Sequence, residues 1–393
     1  MTLPRTTILT MIGWPNDEAS GPVQSLISLA DALSGAFEFK VIARERKYAR
    51  SAGEHGLGYW KRYRSLDRYW CNTSYFGPKD FTTLIRSTRH DVLILNGFFD
   101  PEFTIPTLIL RRLKLIPRRP TILSTRGEFS AGAAAIAKAR KKIYLRAARR
   151  LGLLDDVWFH ATSVSEAADV RFHVPWAREV FIAPNIRVLE EWRPPSKDVK
   201  SAAPLRLVFL SRIDRKKNLD FALTALRSTQ GAVDFDIYGP INDQAYWRAC
   251  QSIIGNLPHW VQVRYRGVIA NDTVPAVLAS YDAFFMPTSG ENFGHAIFDA
   301  LAVGLPVLIS DQTPWCNLER LDAGWSLPLS RQDLFVRAIE GLRGMSMDDR
   351  NRLRRGARRL VETFVTESDA VGQTLRMLET VIAEAKLGIT KRN

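Results

Sequence analysis

Pro287-Thr288-Ser289-Gly290-Glu291-Asn292-Phe293-Gly294-His295-Ala296-Ile297-Phe298-Asp299-Ala300-Leu301-Ala302-Val303-Gly304-Leu305-Pro306-Val307 is the stretch whose reading decides the fold. Ala283–Met286 leads into it as an apolar strand, and the loop that follows is polar. His295–Val303 has helical spacing, Gly304 is a stop signal, and Pro306–Ile309 begins a new strand. Strand, loop, helix and strand in this order form one turn of a parallel α/β sheet, where ligands sit at the carboxyl ends of strands. The helix start around Phe293 to Ala296 leaves backbone N–H groups unpaired at the positive end of the helix dipole, which suits a diphosphate. Glu291 stands just before the helix and Asp299 about two turns later. One acid can then face a transferred group while the other reaches elsewhere on the ligand. On the residues alone, a capping acid and a solvated helix acid fit as well.

The same alternation extends outward in both directions. Upstream, Leu205–Leu210, Val233–Tyr238 and Val261–Arg266 read as strands, separated by helices at Leu219–Leu226, Ala245–Ile254 and Thr273–Ser280. Arg350–Thr363 and Gln373–Ala385 read as closing helices. In the first half, Thr7–Ile12, a Gly/Pro/Asn/Asp loop, a helix from Val23 to Leu33 and a strand at Phe37–Ala43 make a βαβ unit. Asp91–Leu95, Thr121–Ser124, Val157–Ala161 and Val180–Ala183 are further strands. The polar, Pro-rich stretch from Ile186 to Pro204 reads as a linker. The expected organisation is an N-terminal domain over 1–190, a linker over 191–204, a C-terminal domain over 205–370, and a final helix over 371–393 packing back toward the N-terminal domain.

With 393 residues, 46% of them hydrophobic and 24% charged, the chain suits two α/β domains and not a disordered polymer. No apolar run reaches the ~18 residues of a membrane span. The N-terminus lacks the pattern of a signal peptide. Three scattered cysteines and six histidines without metal-ligand spacing imply no bound metal, and they fit a reducing cytoplasm. The formal charge is +14, of which residues 204–393 carry only +2. Residues 111–150 hold 13 basic residues and one acid, Glu128. Arg44–Trp70 interleaves cations with Tyr48, Tyr59, Trp60, Tyr63, Tyr69 and Trp70. Basic charge mixed with aromatics suits an anionic membrane surface or a phosphorylated acceptor. It also fits a solvated basic face. No nucleic-acid module is present, so nucleic acid is not an expected partner. The absence of GxGxxG after the first strand, and of GxxxxGK[ST] anywhere, argues against a dinucleotide oxidoreductase and a P-loop NTPase.

The Glu291–Val307 segment resembles the donor-site signature of glycosyltransferase family 4: an acid, seven residues, a second acid, with Phe-Gly after the first and Ala-x-x-x-Gly-x-Pro-Val after the second. The signature has Glu where this chain has Asp299, one methylene shorter. Ser211-Arg212-Ile213-Asp214-Arg215-Lys216-Lys217-Asn218 is similar to the family's Gly-Arg-x-x-x-x-Lys-Gly segment, with Ser211 and Asn218 in place of the glycines. Ser20-Gly21-Pro22 resembles its Gly-Gly-Pro loop. Thr125-Arg126-Gly127 matches a position where relatives often carry histidine. Phe159-His160-Ala161-Thr162-Ser163 with Glu166 resembles a segment near the interdomain cleft. Ala183-Pro184-Asn185 resembles the Pro-Asn-Gly that closes the first domain.

The resemblance implies a GT-B fold: α/β, with two Rossmann-like domains whose parallel sheets face a cleft. It implies a metal-independent, retaining transfer of a sugar from a UDP- or GDP-linked donor, with no cofactor. The acceptor would be a glycan or lipid-linked molecule of cell-surface polysaccharide synthesis, such as lipopolysaccharide or exopolysaccharide. The chain would be cytoplasmic and peripheral on the inner face of the plasma membrane. Glu291, Arg212, Lys217 and Arg126 would be the catalytic set. Gly21, Asn292, Phe293, Gly294, His295, Ala296 and Asp299 would bind the donor, with His160 a possible cleft residue. Arginine cannot act as a base, so Arg126 would bind the donor or an acceptor anion. A sugar-nucleotide epimerase, a phosphorylase and a non-catalytic binding protein of the same fold are the alternatives.

Overall fold

The computed structural model describes residues 5–14, 21–45, 58–71, 77–130, 138–189, 191–192 and 204–390. The chain forms two compact units, Met1–Arg187 with Ser368–Asn393, and Val188–Glu367. Most of the expected linker, residues 193–203, lies outside the described residues, as does Tyr48.

The first unit begins with β1 (Thr6–Trp14), α1 (Gly21–Leu33), β2 (Phe37–Glu45), β3 (Trp60–Tyr63), β4 (Leu66–Cys71), α2 (Pro78–Ser87) and β5 (Val92–Asn96). It continues with α3 (Thr104–Arg112), β6 (Thr121–Ser124), α4 (Lys138–Arg150), β7 (Val157–Ala161), α5 (Val164–His173) and β8 (Val180–Ile182). Its eight strands lie in the order β3-β4-β2-β1-β5-β6-β7-β8. All neighbours are parallel except the β3–β4 hairpin. All five residues of β5 and eight of the nine in β1 are buried, the pattern of a sheet covered on both faces.

The structure narrows the reading of both basic stretches. The basic, aromatic stretch before residue 71 is partly core. Its end folds as the β3–β4 hairpin, with Leu66 and Trp70 buried. The Arg68 guanidinium lies 4.6 Å from the Trp14 ring centroid, 4.5 Å from Tyr63 and 4.7 Å from Trp70, so its charge is taken up by aromatic faces. In α3, Leu108 and Arg111 are buried. Arg111 donates to the carbonyls of Arg119, Asp155 and Asp156, which makes it a structural brace and not a surface cation.

The second unit holds β9 (Leu205–Leu210), α6 (Leu219–Arg227), β10 (Val233–Tyr238), α7 (Gln244–Ile254), β11 (Val261–Gly267) and α8 (Val274–Leu278). Then come β12 (Ala283–Met286), α9 (His295–Ala302), β13 (Val307–Ser310), β14 (Gly324–Leu327), α10 (Gln332–Gly344) and α11 (Met347–Glu367). Its six strands are all parallel, in the order β11-β10-β9-β12-β13-β14. The final helix, α12 (Ala370–Thr390), returns to the first unit. There its Met377, Leu378 and Val381 join the core formed with Ile8, Val23, Leu26 and Ile27. Both units are therefore doubly wound α/β folds, with strand order reversing beside β1 in the first and beside β9 in the second.

Helix α11 orders the second unit through an arginine stripe at i, i+4 and i+8. Arg350 Nη2 donates to Leu342 O at 2.8 Å, Arg354 Nη2 to Tyr281 O at 3.0 Å and Arg358 Nη1 to Ala302 O at 2.7 Å. Ala302 ends α9 and Leu342 lies in the last turn of α10. Arg350 and Arg358 therefore bind carbonyls at helix C-termini, where positive charge is favoured, and Arg354 binds one just before β12. The stripe can approach because α11 carries Gly356 against the backbone of Asp322. A Cβ at Gly356 would lie 2.0 Å from Asp322 O, whereas one at Gly341 in α10 meets nothing within 4 Å. Gly341→Ala is therefore expected to stabilise by ~0.5–1 kcal/mol through helix propensity. Gly356→Ala is expected to destabilise by ~1–3 kcal/mol through forced displacement. Urea unfolding of both variants checks this; shifts of the same sign would refute the packing argument.

Candidate functional site

In the second unit the residues singled out from the sequence meet at the carboxyl ends of β9 and β12, the strands between which the winding reverses. After β9, Arg215–Lys217 forms a short 3-10 turn capped by Asp214, whose carboxylate accepts from Lys217 N at 3.3 Å. Asn218 then adopts φ +59°, and its side chain donates to Pro287 O at 3.0 Å. That left-handed backbone accounts for the glycine of the resembling motif, and asparagine tolerates it better than most residues.

The two loops are joined by charge. Lys217 Nζ lies 2.5 Å from Glu291 Oε1, and both side chains are about nine-tenths buried. Thr288 Oγ1 stands 3.0 Å from the same carboxylate oxygen and 3.1 Å from Lys216 O. The backbone closes the link: Ser289 N donates to Lys216 O, and Glu291 N to Gln312 O. Burial lowers the pKa of Lys216, Lys217 and Arg212 lower it further, and Glu291 opposes them. Arg212 is half exposed, its Nη2 3.5 Å from Asp214 Oδ2.

Helix α9 starts directly after this junction. Gly294 is its N-cap at φ +80°, with no side-chain cap on the first N–H groups. A Cβ there would press on Ile297 Cδ1 at 2.9 Å. Trp315 Nε1 donates to Phe293 O at 2.6 Å, which fixes the entry to the helix. Phe293 is buried, His295 and Ala296 begin the first turn, and Asp299 is partly exposed one turn further on. Asn292 is partly exposed in the loop. Glu291, Lys217, Arg212 and the α9 start thus share one sheet edge. Lys216, Thr288, Gln312 and Trp315 complete it, and sequence reading did not single them out as site residues. Only Lys216 carried a signal, in the cation cluster; the others act through contacts with segments that only the fold brings near.

The remaining sequence candidates fall in the first unit. Gly21 is the first residue of α1, and the loop before it lies outside the described residues. Arg126 follows β6 at φ +54°, a strained position for a non-glycine residue. Its Nε and Nη2 donate to Asn96 Oδ1 at 3.1 and 2.7 Å, and its Nη1 to Asn185 Oδ1 at 3.3 Å. Burial lowers its pKa, against the opposing field of Glu166. Glu166 accepts from Thr125 Oγ1, Gly127 N, Thr162 N and Thr162 Oγ1 at 2.6–2.8 Å. Burial alone would raise this carboxyl, but the four donors hold it below its ordinary range.

His160 is fully engaged. Its Nε2 lies 2.8 Å from Ala183 O and must donate, which leaves Nδ1 to accept from Ser124 Oγ at 2.8 Å. Burial and then the Arg126 charge push its pKa down to about 4. The ring is therefore neutral, with both nitrogens committed to protein partners. Among the described residues, no group of three or more His, Cys, Asp or Glu is placed to hold a metal, and no helix is long and apolar enough to cross a membrane.

Two doubly wound units, the second with a carboxylate–ammonium junction and a helix start without a side-chain cap at its strand switch point, are the architecture of the GT-B fold. Residues 193–360, which lie within the second unit, match the family model of glycosyl transferases group 1. The whole chain is similar in fold to sucrose-phosphate synthase from Thermosynechococcus elongatus, with a TM-score of 0.71 at 15% identity, covering 96% of this chain and 100% of that one. It is also similar to Anabaena Alr3699/HepE in complex with UDP and glucose, with a TM-score of 0.68 at 14% identity over 96% and 100% of the two chains. A third likeness is WaaG, a glycosyltransferase involved in lipopolysaccharide biosynthesis, with a TM-score of 0.63 at 11% identity over 95% and 99%. No curated protein sequence matches the chain.

The His160 environment fixes a pH dependence. Its folded pKa of about 4 lies below the ordinary imidazole value of about 6.5, so the unfolded chain takes up the proton first. Stability from this group is therefore present above pH ~6.5 and is lost as pH falls toward 4. Denaturant midpoints at pH 7 and pH 5 should drop more for wild type than for His160→Gln. Equal drops would mean that this ring does not set the slope.

Proposed function

We propose that the chain is a retaining, metal-independent glycosyltransferase. It moves a sugar from a UDP- or GDP-linked donor to a glycan or lipid-linked acceptor of cell-surface polysaccharide. The observation that carries this reading is the Lys217–Glu291 pair beside the uncapped start of α9. In the proposed complex the N–H groups of Phe293 to Ala296 hold the diphosphate, with Arg212 and Lys217 on its oxygens. Asp299 takes the ribose diol, Glu291 takes sugar hydroxyls, and Gly21 lets backbone approach the phosphates. HepE is described with UDP and glucose, which supports UDP as the first donor to try.

The proposed reaction breaks the bond between the anomeric carbon and the diphosphate oxygen. The acceptor hydroxyl oxygen forms the new bond on the same face, and its proton passes to the departing diphosphate. Lys217, Arg212 and the helix dipole stabilise the charge that develops there, which is most effective in a preorganised, partly dry site. With both His160 nitrogens committed and no carboxylate nucleophile in the N-terminal motifs, same-face attack is the simplest course.

Glu291→Gln should cut turnover by ~10²-fold, ~2.7 kcal/mol of transition-state stabilisation, in a folded protein. Lys217→Ala should weaken nucleoside diphosphate far more than free nucleoside, and should also cost stability by leaving Glu291 unpaired. Product assays with UDP- and GDP-sugars, and calorimetry with both ligands, read these effects. A folded Glu291→Gln enzyme with near-normal kcat would remove the assignment.

For the membrane, the exposed helix α4 is the proposed contact. Ile143, Ala147 and Leu151 form an exposed apolar row at i, i+4 and i+8, beside the exposed cations Lys142, Arg146 and Arg150. Leu113 and Leu115 are exposed after α3, and Arg112 Nε bonds Leu151 O at 2.7 Å, which brings the two helix ends together. An apolar row flanked by cations suits an anionic lipid interface, at ~1 kcal/mol per Lys or Arg near the surface. The protein should float with anionic vesicles at low salt and leave them at high salt, and a variant with Lys142, Arg146 and Arg150 changed to Gln should not float. Wild type that stays soluble at low salt would point to a soluble acceptor.

A further inference from the structure

We propose that the first unit contains a specificity site for an anionic sugar, with Arg126 as its cationic floor. The inference rests on the transferase reading, and it names the acceptor chemistry: a sugar bearing a carboxylate or a phosphate.

The site lies at the carboxyl edge of the first sheet, where such folds bind ligands. Asn96 ends β5, Ser124 ends β6, His160 lies in β7, and Asn185 follows β8. Asn96 Nδ2 donates to Thr10 Oγ1 and Met11 O, so the neighbouring strand β1 holds that amide with its oxygen on the guanidinium. Ser124, Arg126, His160 and Asn185 line a cavity of about 30 Å3, together with Ser25 and Leu29 of α1 and Thr374 and Met377 of α12. That is room for about two waters, the size of a carboxylate or of phosphate oxygens and not of a whole sugar ring.

The electrostatics of this cavity are one-sided. A guanidinium carries five N–H donors. Those of Arg126 make three bonds to two neutral amide oxygens, and one N–H on each Nη has no partner among the described residues. Among those residues no carboxylate lies within ion-pair distance of Arg126, and none of the lining residues is acidic. Glu166, the acid whose field reaches Arg126, is already saturated by four donors. His160 is neutral and donates outward to Ala183. A partly buried cation whose direct partners are all neutral carries a desolvation cost. The left-handed backbone that turns Arg126 into the cavity adds strain. An oxyanion entering the cavity relieves the first cost by accepting the two spare N–H groups, and charge-assisted bonds of this kind are the strong ones.

The test uses the full chain with UDP or GDP at saturation, whichever raises its melting temperature, so that the phosphate-binding groups of the second unit are filled. Glucose, glucuronate and glucose 6-phosphate are then titrated by calorimetry at constant ionic strength. At least one charged sugar should bind about tenfold or more tighter than glucose, a ratio equal to ~1.4 kcal/mol. The tighter of the two identifies carboxylate or phosphate as the group recognised. The preference should vanish in Arg126→Gln. It should also vanish in Asn185→Asp, which supplies a built-in counter-ion beside Nη1, keeps the shape of the site and should raise the melting temperature. Equal binding of all three sugars by wild type overturns the proposal, as does a preference that survives Asn185→Asp. Failure of every nucleoside diphosphate to bind would instead remove the transferase reading, a separate result.

Discussion

Lys217 and Glu291 are 74 residues apart in sequence, and their contact holds the second unit's site in shape. It ties the loop after β9 to the loop after β12, at the one place in the sheet where adjacent strands wind in opposite directions. Loops at a switch point diverge, so something other than sheet hydrogen bonding must hold them together. A buried ion pair does so only when its other hydrogen-bonding needs are met, because desolvation of both charges opposes it. Thr288 Oγ1 supports the carboxylate, and the Lys216 and Gln312 carbonyls fix the surrounding loop through the backbone N–H groups of Ser289 and Glu291. The start of α9 inherits its position from this junction at one end, and from Arg358 on the Ala302 carbonyl at the other. The groups that would meet a diphosphate are thus in place before any ligand arrives, which removes an ordering cost from binding.

The first unit handles buried charge at its own sheet edge differently. Glu166 accepts from four neutral donors. Among the described residues Arg126 has no acid within ion-pair distance, and two amide oxygens hold it. The opposite charges stay apart, and the carboxylate is satisfied while the guanidinium keeps donors in reserve. His160 lies between these regimes and stays uncharged because burial and then the Arg126 charge disfavour its protonation, while Ser124 and Ala183 engage its two nitrogens. The second unit therefore presents a closed charge pair, and the first presents an open one.

Much of this was legible before the structure. Strands such as Thr121–Ser124, Val157–Ala161, Leu205–Leu210 and Ala283–Met286 are short apolar runs that only a buried parallel strand accommodates. The β3–β4 hairpin was not legible, because Trp-Lys-Arg-Tyr and Leu-Asp-Arg-Tyr-Trp-Cys alternate in charge as a surface would. Their aromatic faces, not aliphatic burial, absorb the Arg68 charge. Helix α4 was hidden for a related reason. Its Lys, Arg, Ala and Leu are good helix formers, but the charge density reads first as a solvated basic run.

The sequence by itself determined the chemistry available at each position: which loops carry cations, which helix starts uncapped, and which runs must be buried. What it could not determine is the surroundings of each charge. Arg111 and Arg112 are neighbours, yet one is a buried brace across three carbonyls while the other bonds a single carbonyl near the surface. Arg350, Arg354 and Arg358 look like the rest of a basic helix, yet they close open carbonyls in other parts of the unit. Glu291 and Lys217 became partners, and Arg126 came to face two neutral amides, only when strands distant in sequence came together. A side chain's formal charge is local, but its desolvation and its partners are set by whatever the fold brings within a few ångströms, and only the tertiary structure decides that.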